Sequence, residues 1–480
     1  MRFVVIGAGM AGILSAVKLA EAGFDDVVVY EKAERLGGTW RENTYPGVAC
    51  DVPSHLYSYS FAPNSEWSHT FSPGNEIRAY LEDVAKRFGV DTRIRYGTEV
   101  NRLEFRSDGR WAVATSEGID EADVVIAATG VLHHPRYPDI EGLDDFGGPM
   151  FHSARWDHSV SLDGARLGVI GTGSSAVQIV GAVVDTVEEL RLFQRTAQWI
   201  LPVPNSPITD DDRARYRADP AEMQAMRDQL DKTFTEGFAN AVVDKDSPQM
   251  QALEAMCRAN LESHVSDPDL LERLRPSYRA ACKRLVISPN FYEAIQRPNA
   301  HLVTEGIERI EKGGVRTSDG RLHELDVLVL ATGFRVDRFM RPIDVVGRGG
   351  VSLDAVWAKR PSAYLSVSIP EFPNLFMLNG PNGPVGNFSL IDVAEMQFGY
   401  IMQLVEGLAD GRWAQVSAKR EAAEQFEAER VERAKNTIWV TGCRSWYLDD
   451  RGIPAVWPWT FDRFRDEMSA PKLEDYELVG

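Results

Sequence analysis

Residues 3–12 read FVVIGAGMAG, an apolar run that predicts a short buried strand, followed by three glycines spaced G-x-G-x-x-G. Residues 13–22 continue with the apolar period of a helix, and residues 27–30 form a second apolar run. A strand, a glycine turn, a helix and a second strand make up the unit that binds dinucleotides at the start of its helix. The stretch therefore predicts an α/β protein with parallel strands.

Each glycine of this turn has a separate role. Gly7 permits the tight turn after the strand, Gly9 leaves room for a pyrophosphate, and Gly12 lets the helix pack closely on the strand. Glu31 directly follows the second strand, where an acidic side chain accepts hydrogen bonds from a ribose hydroxyl. The turn and the acid together predict a first dinucleotide site.

A second unit of the same kind begins at residue 167. Residues 167–176 read LGVIGTGSSA, so Gly171 and Gly173 take the first two glycine positions and an alanine takes the third, which is a permitted variant. After the next predicted strand, Arg195 stands near the position where an NAD site carries an acid, and a cation there favours the 2′-phosphate of NADP. The second unit is therefore predicted to bind NADPH.

Two further stretches show the same duplication. Residues 123–130 read DVVIAATG and residues 326–333 read DVLVLATG, which agree in residue type along their length. Each is expected to close one nucleotide fold, and Thr129 in the first is a cofactor-binding candidate. Residues 205–280 are acidic, methionine-rich and helix-patterned, with Ser266-Asp267-Pro268 as a typical helix start. We interpret this region as a helical insertion.

Two nucleotide folds in one chain imply that one cofactor stays bound while the other delivers hydride to it, and FAD with NADPH is the natural pair. We therefore predict two Rossmann-like domains with a helical insertion. The predicted boundaries are 1–140 and 369–480 for the FAD-binding domain, 141–204 and 281–368 for the NADPH-binding domain, and 205–280 for the insertion. A flavin disulfide reductase is an alternative, but it needs a redox-active cysteine pair, and the sequence has no C-x-x-C.

The composition limits the class of protein and its partners. Among 480 residues, 44% are apolar and 26% charged, which is typical of a globular protein, and the net charge of −19 disfavours nucleic acid and anionic lipid. The four cysteines lack the close spacing of zinc sites, redox dithiols or a disulfide framework, so we expect no metal and a reducing cytoplasm. Glycines inside the apolar start disfavour a secretory signal, and no run reaches the roughly 18 apolar residues of a membrane span. The oligomeric state cannot be predicted.

The segment joining the two folds carries a longer pattern. Residues 146–157 read FGGPMFHSARWD and match F-x-G-x-x-x-H-x-x-x-W-[P/D] at each specified position. That pattern is the fingerprint of Baeyer–Villiger monooxygenases, and the chain resembles this family. The matching residues are Phe146, Gly148, His152, Trp156 and Asp157.

The resemblance extends over nearly the whole chain and implies further roles. Residues 37–40 (GGTW) and 45–61 are similar to the family's flavin-contacting segment, residues 194–196 to its NADPH phosphate contact, and residues 282–284 to its catalytic basic pair. Residues 380–384, 446–447 and 457–459 are expected to complete the FAD domain and line the substrate cavity. Besides the residues of the first turn and Glu31, the cofactor-binding candidates are Gly38, Thr39, Trp40, Asp51, Tyr57, Thr129, Gly171, Gly173, Ser174, Ser175, Arg195, Thr196 and Lys283.

The resemblance also implies a reaction. NADPH reduces the flavin, oxygen adds at its C4a atom, and the resulting peroxide attacks a ketone carbonyl to give an ester or lactone. Arg284 would stabilise the anionic species, because a guanidinium keeps its proton, and Asp51 would orient that arginine. Ala49 departs from family members that carry arginine at that position, which removes no catalytic role.

Two other functions stay open from the sequence. A flavin-containing monooxygenase that oxygenates an amine or sulfide would share both folds, although Trp156-Asp157 and Lys283-Arg284 favour the ketone reaction. A flavin-binding regulator without turnover is disfavoured because the basic residues are intact. The ketone and its regiochemistry cannot be predicted, since distant loops assemble the pocket.

Overall fold

The computed structural model describes residues 1–480 and contains two parallel sheets of five strands each. Phe3 lies opposite Val27 on one side and Val124 on the other, so the three central strands of the first sheet run parallel. Their residues are almost all buried, because helices cover one face of this sheet and a smaller four-stranded sheet covers the other. In spatial order the strands of the first sheet are Leu375–Met377, Val124–Ala127, Phe3–Ile6, Val27–Tyr30 and Ile94–Arg95.

The second sheet repeats this arrangement with a different part of the chain. Val169 pairs with Leu192 on one side and Val329 on the other, again in parallel register. In spatial order its strands are Ala300–Val303, Glu189–Phe193, Arg166–Ile170, Val327–Leu330 and Met150–His152. The predicted α/β class with two parallel nucleotide folds is confirmed.

Smaller sheets and the helices complete the fold. A four-stranded sheet has the order Asp344–Val346, Val100–Phe105, Trp111–Thr115 and Gly118–Ala122, and a three-stranded sheet contains Ile307–Glu311, Gly314–Thr317 and Leu322–Glu324. Two-stranded pairs are Ile200–Leu201 with Val286–Ile287, and Gln415–Ala418 with Tyr476–Val479. The α-helices outside the insertion are Met10–Glu21, Thr39–Glu42, Gly74–Arg87, Ser174–Val183, Phe291–Ala294, Leu353–Val356, Leu390–Ala409, Arg420–Ala434 and Phe461–Glu467.

The region between residues 205 and 280 is mostly helical. Its α-helices are Asp210–Ala218, Pro220–Phe234, Pro248–His264 and Pro268–Leu274, with a π-helical segment at Thr235–Ala239. Asp267 begins the last of these, because its carboxylate accepts the amide hydrogen of Leu270 at 2.8 Å. Leu253 and Leu261 are buried in the same apolar core as the second sheet. The insertion therefore packs on the second nucleotide fold.

A disulfide joins Cys282 to Cys443, which are 161 residues apart in the sequence. The expectation that the cysteines form no disulfide is therefore wrong. Spacing along the chain reveals only local pairs, whereas this bridge depends on tertiary packing that brings the two segments together. Cys50 and Cys257 are buried free thiols. None of the helices combines the length and the apolar character needed to cross a membrane.

Candidate active site

A cavity of about 1730 Å³ lies between the two nucleotide folds. Gly7 and Gly9 line it from the first fold, Gly171 and Gly173 from the second, and Arg284 from the segment that follows the insertion. Parallel α/β folds bind ligands at the carboxyl ends of their strands, where the glycine turns begin. The cavity therefore joins the two predicted cofactor sites to one another.

The first glycine turn has the geometry that its spacing predicts. Gly7 has a φ of +100°, and a Cβ there would lie 2.7 Å from the carbonyl oxygen of Ala128. A Cβ on Gly12 would lie 1.8 Å from the oxygen of Gly7, so this glycine serves packing and does not line the cavity. A Cβ on Gly9 would meet only the backbone of Gly38, at 3.5 Å. The open space beside Gly9 suits a phosphate at the helix start.

Glu31 is held rigidly at the edge of this turn. Its carboxylate accepts the amide hydrogens of Ala8 at 2.8 Å and Ala33 at 2.9 Å, and it forms an ion pair with Arg41 at 3.0 Å. The side chain is buried and lines the cavity. The partner Arg41 was not predicted, because nothing in its local sequence distinguishes it from a surface arginine.

The other residues predicted to bind the first cofactor also reach the cavity. Trp40 Nε1 donates a hydrogen bond to the hydroxyl of Tyr57 at 3.3 Å, and the two rings meet edge to face. The cavity-lining residues of this group are Gly38, Thr39, Trp40, Asp51, Tyr57 and Thr129. Sequence-distant segments thus converge on one face of the cavity.

The second glycine turn resembles the first in detail. Gly171 has a φ of +121°, and a Cβ there would lie 2.3 Å from the oxygen of Ala331. A Cβ on Gly173 would meet no atom within 4 Å, which leaves space for a pyrophosphate. Thr172 donates a hydrogen bond from Oγ1 to the carbonyl of Thr196 at 2.7 Å, which ties the turn to the strand end. Ser174, Ser175 and Thr196 line the cavity as predicted.

Two cations lie together beside this turn. Arg195 and Lys283 both line the cavity, and neither forms a salt bridge with a carboxylate. Burial, with the charge of Arg195 as the second cause, lowers the pKa of Lys283. Two neighbouring cations without an anionic partner form a site that suits a phosphate group.

Arg284, the residue after Lys283, also lines the cavity and pairs with Asp51. Its Nη2 lies 2.5 Å from Asp51 Oδ2, and the side chain keeps 30% of its surface exposed. Burial disfavours the guanidinium charge, but Asp51 and the hydroxyl of Tyr447 outweigh burial, so the pKa of Arg284 is raised above its ordinary value. Arg284 is therefore a permanent cation held in a fixed orientation.

Tyr447 is a residue of this site that sequence reasoning did not single out as a partner. Its hydroxyl lies close enough to Arg284 for the guanidinium to affect its titration, but burial is the larger effect and raises the pKa of the phenol. The neighbouring Trp446 lies 4.1 Å from it, ring centroid to ring centroid, and lines the cavity. Residues 380–383 line the cavity as well, whereas Trp457 and Trp459 are buried in the core.

The fingerprint residues lie outside the cavity. They surround the place where the two chain segments that connect the folds, around Arg136 and Gly333, contact one another. The amide of Arg136 donates to the carbonyl of Gly333 at 2.8 Å, and His152 Nε2 contacts the same carbonyl at 3.1 Å. His152 Nδ1 accepts the amide hydrogen of Ala154, and burial lowers the pKa of this histidine to about 4. His152 is therefore neutral, and its two hydrogen bonds stabilise the contact between the two connecting segments.

Other fingerprint residues determine how the same segment packs. A Cβ on Gly148 would lie 2.4 Å from the oxygen of Asp326, and Trp156 packs on Phe151 with ring centroids 4.9 Å apart. Asp157 is on the surface, where it accepts hydrogen bonds from Ser159. The fingerprint thus describes how the connection folds rather than a set of groups around the cavity.

The chain is similar to several known proteins along its length. The family described as Pyridine nucleotide-disulphide oxidoreductase matches residues 4–218. An uncharacterized monooxygenase of Mycobacterium tuberculosis is 46% identical over 99% of this chain and 95% of its own length. A Baeyer-Villiger monooxygenase of Streptomyces coelicolor is 40% identical over 100% of this chain and 93% of its own.

A solved structure agrees with these relatives. Cyclohexanone monooxygenase from Rhodococcus sp. Phi1, bound to NADP+, superposes with a TM-score of 0.89 at 31% identity and covers 100% of this chain and 99% of its own. The relatives match over both nucleotide folds and the insertion. The chain belongs to the Baeyer–Villiger monooxygenase family.

Proposed function

We propose that this protein uses NADPH and molecular oxygen to insert an oxygen atom beside the carbonyl of a ketone, giving an ester or lactone. Arg284 is the catalytic cation in this proposal, and Asp51 orients it. The observation that carries the proposal is the Arg284–Asp51 pair in the cavity between the two glycine turns.

The first fold, formed by residues 1–140 and 369–480, would hold FAD. The open space beside Gly9 and the buried carboxylate of Glu31 suit its pyrophosphate and ribose. FAD, when bound and reduced by NADPH, supplies the electrons that activate oxygen. Residues 38–40, Asp51, Tyr57 and Thr129 would surround the flavin and exclude water from it.

The second fold, formed by residues 141–204 and 281–368, would hold NADPH. Gly173 leaves space for the pyrophosphate, and Arg195 with Lys283 would bind the 2′-phosphate. This cation pair favours NADPH over NADH because NADH has no group to neutralise it. Residues 205–280 pack behind this fold as a helical insertion.

Arg284 would act on the charge that develops during oxygen insertion. Attack on a carbonyl places negative charge on oxygen, and a guanidinium stabilises that charge without giving up its proton. Asp51 holds the guanidinium in place, so little reorganisation would accompany the reaction. The ketone reaction needs this fixed charge more than oxygenation of an amine or sulfide does.

The buried disulfide supports this assignment over a disulfide reductase. Neither Cys282 nor Cys443 lines the cavity, and both are buried. A redox-active pair must be reached by the flavin and by an external thiol, and this bridge meets neither requirement.

Product analysis tests the proposed function. Purified enzyme with FAD and NADPH would be incubated with cyclic, aryl and linear ketones under ¹⁸O₂, and parallel reactions would contain sulfides and amines. We expect at least one ketone to give an ester or lactone heavier by one labelled oxygen, with NADPH consumed in equal amount. Oxygenation of sulfides or amines with every ketone left unchanged would contradict the proposal.

A further inference from the structure

We propose that Tyr278 is a positioning residue that sets the preference for NADPH over NADH. Its ring contacts the ammonium of Lys283, and its hydroxyl and carbonyl form hydrogen bonds with the segment that follows Arg195. The inference rests on the proposed NADPH site, because it concerns how the two cations of that site are held.

The first observation is the contact between Tyr278 and Lys283. Lys283 Nζ lies 4.9 Å from the centroid of the Tyr278 ring, within the range of a cation–π interaction. Lys283 has no carboxylate partner and donates no hydrogen bond to the protein. Its long side chain has many rotamers, so the ring is the contact that restricts where the ammonium lies.

The second observation is that Tyr278 is bound at both ends to residues 197–199. Its hydroxyl lies 2.7 Å from Gln198 Oε1 and 3.0 Å from the carbonyl oxygen of Ala197. Its own carbonyl accepts a hydrogen bond from Trp199 Nε1 at 2.6 Å. These contacts begin two residues after Arg195, which carries the other cation of the site.

The protonation state of Tyr278 favours this arrangement. Burial raises the pKa of the phenol, so the hydroxyl keeps its hydrogen and remains a donor to one of its two acceptors. A neutral phenol also carries no negative oxygen that would attract the ammonium away from the face of the ring.

The two contacts together link Lys283 to the segment that follows Arg195. Arg195 and Lys283 belong to segments separated by the whole insertion, and the charge of Arg195 contributes to the lowered pKa of Lys283. Tyr278 contacts Lys283 and also hydrogen-bonds the segment that follows Arg195. It therefore positions both cations for an anion. The repulsion between the two cations is then overcome when the protein folds, so it does not reduce the affinity for the nucleotide.

Binding of nucleotide fragments tests the inference without catalysis. Calorimetry would compare 2′,5′-ADP, which carries the 2′-phosphate, with 5′-AMP on the FAD-loaded enzyme. We expect Tyr278→Leu to weaken 2′,5′-ADP by about fivefold to tenfold, from the size of a cation–π contact, and to change 5′-AMP by less than twofold. Tyr278→Phe keeps the ring and should lose only part of this selectivity.

A double-mutant cycle separates this inference from the proposed site. In a Lys283→Ala background, Tyr278→Leu should cause less additional loss than it does alone, since its partner is gone. If Lys283→Ala itself leaves 2′,5′-ADP binding unchanged, the proposed NADPH site is wrong. If Lys283→Ala weakens binding but Tyr278→Leu does not, or if Tyr278→Leu weakens both fragments equally, the site stands and the role of Tyr278 is overturned. Should Tyr278→Leu not fold, Tyr278→Phe tests the hydroxyl contacts with residues 197–198, and an unchanged selectivity for 2′,5′-ADP over 5′-AMP in that variant would overturn the role of Tyr278.

Discussion

Arg284 combines a fixed orientation with partial exposure to the cavity. Asp51 pairs with its guanidinium, yet 30% of the side chain stays exposed where it lines the cavity. A cation that is fixed but not fully paired can still bind a developing anion. In the proposed reaction the chemistry would therefore depend on Arg284, while other residues would bind the cofactors.

Arg284→Ala should abolish ester formation while FAD stays bound. Loss of one oxyanion donor typically costs about 2.7–4 kcal/mol, so the rate should fall by at least a hundredfold. The variant should still oxidise NADPH slowly and release hydrogen peroxide, which a peroxidase-coupled assay detects. Arg279→Ala is a matched control, because Arg279 pairs with Glu254 outside the cavity. Ester formation by Arg284→Ala at the parent rate would contradict the assignment.

Arg195→Ala should raise the Michaelis constant for NADPH by about tenfold to a hundredfold, because a charge-assisted hydrogen bond is worth about 1.5–3 kcal/mol. The constant for NADH should change little. Arg191→Ala is the control, since Arg191 lies on the strand that precedes Arg195 but pairs with Glu189 and does not line the cavity. Equal effects on both nucleotides would show that Arg195 does not contact the 2′-phosphate.

Sequence patterns predict the residues of this site that belong to short motifs. Arg195, Lys283 and Arg284 each stand in such a motif, and each lines the cavity. Tyr278 and Tyr447 could not be predicted as their partners, because those contacts depend on how distant segments pack. A single sequence contains no information about such contacts beyond general preferences.

At the scale of secondary structure, the two glycine turns repeat one geometry. Gly7 and Gly171 both have a positive φ and both lie against the carbonyl of the strand that closes their fold. Local spacing determines this arrangement, which is why strands, turns and the first helix of each fold could be predicted. The helical insertion was predicted only as a region, and its contacts were not.

One such contact is Arg227, whose position nothing in the sequence indicated. It donates to the carbonyls of His55 and Ser58 at 2.8 Å and pairs with Asp392 at 2.7 Å. These residues belong to the part of the chain around the first sheet, so the insertion reaches both folds. Helical periodicity identifies an apolar face, but it does not identify the partner of a charged residue on the other face.

Gly9→Ala and Gly12→Ala should fail in different ways. A Cβ on Gly9 meets only Gly38, at an ordinary contact distance of 3.5 Å, so the protein should fold but lose FAD. A Cβ on Gly12 would lie 1.8 Å from the oxygen of Gly7, so that variant should lose folded structure as well. Flavin absorbance per mole of protein and circular dichroism measure the two outcomes. A fully yellow Gly9→Ala protein would show that FAD binds elsewhere.

At the scale of the whole molecule, several contacts hold the folds together. Tyr45 donates from its hydroxyl to Gln178 Oε1 at 2.9 Å, and Gln178 Nε2 donates to the carbonyl of Ala49 at 3.0 Å. A Cβ on Gly47 would lie 2.6 Å from the carbonyl oxygen of Gln178, so the loop lies directly on the helix. The Cys282–Cys443 bridge adds a covalent link between the segment of Arg284 and the segment of Tyr447.

Removal of that bridge should destabilise the protein. A disulfide that closes a loop of 161 residues restricts the unfolded chain, and loss of such a bridge typically costs about 2–5 kcal/mol. Cys443→Ala should therefore melt several degrees lower than the parent protein, and its melting should no longer respond to a reductant. Cys257→Ala is the control, because Cys257 is buried and unpaired.

Thiol titration of the unfolded parent protein should find two free thiols of the four cysteines before reduction. Four thiols before reduction would contradict the bridge.

The contact between residues 45–49 and the helix Ser174–Val183 has a consequence for hybrid enzymes. A chimera that takes its NADPH fold from one relative and its FAD fold from another inherits the two sides of this contact from different parents. The glycine at position 47 leaves no room for a larger residue, and Gln178 needs both of its partners on the loop. The loop and the helix should therefore be exchanged as one cassette, even though more than a hundred residues of sequence separate them.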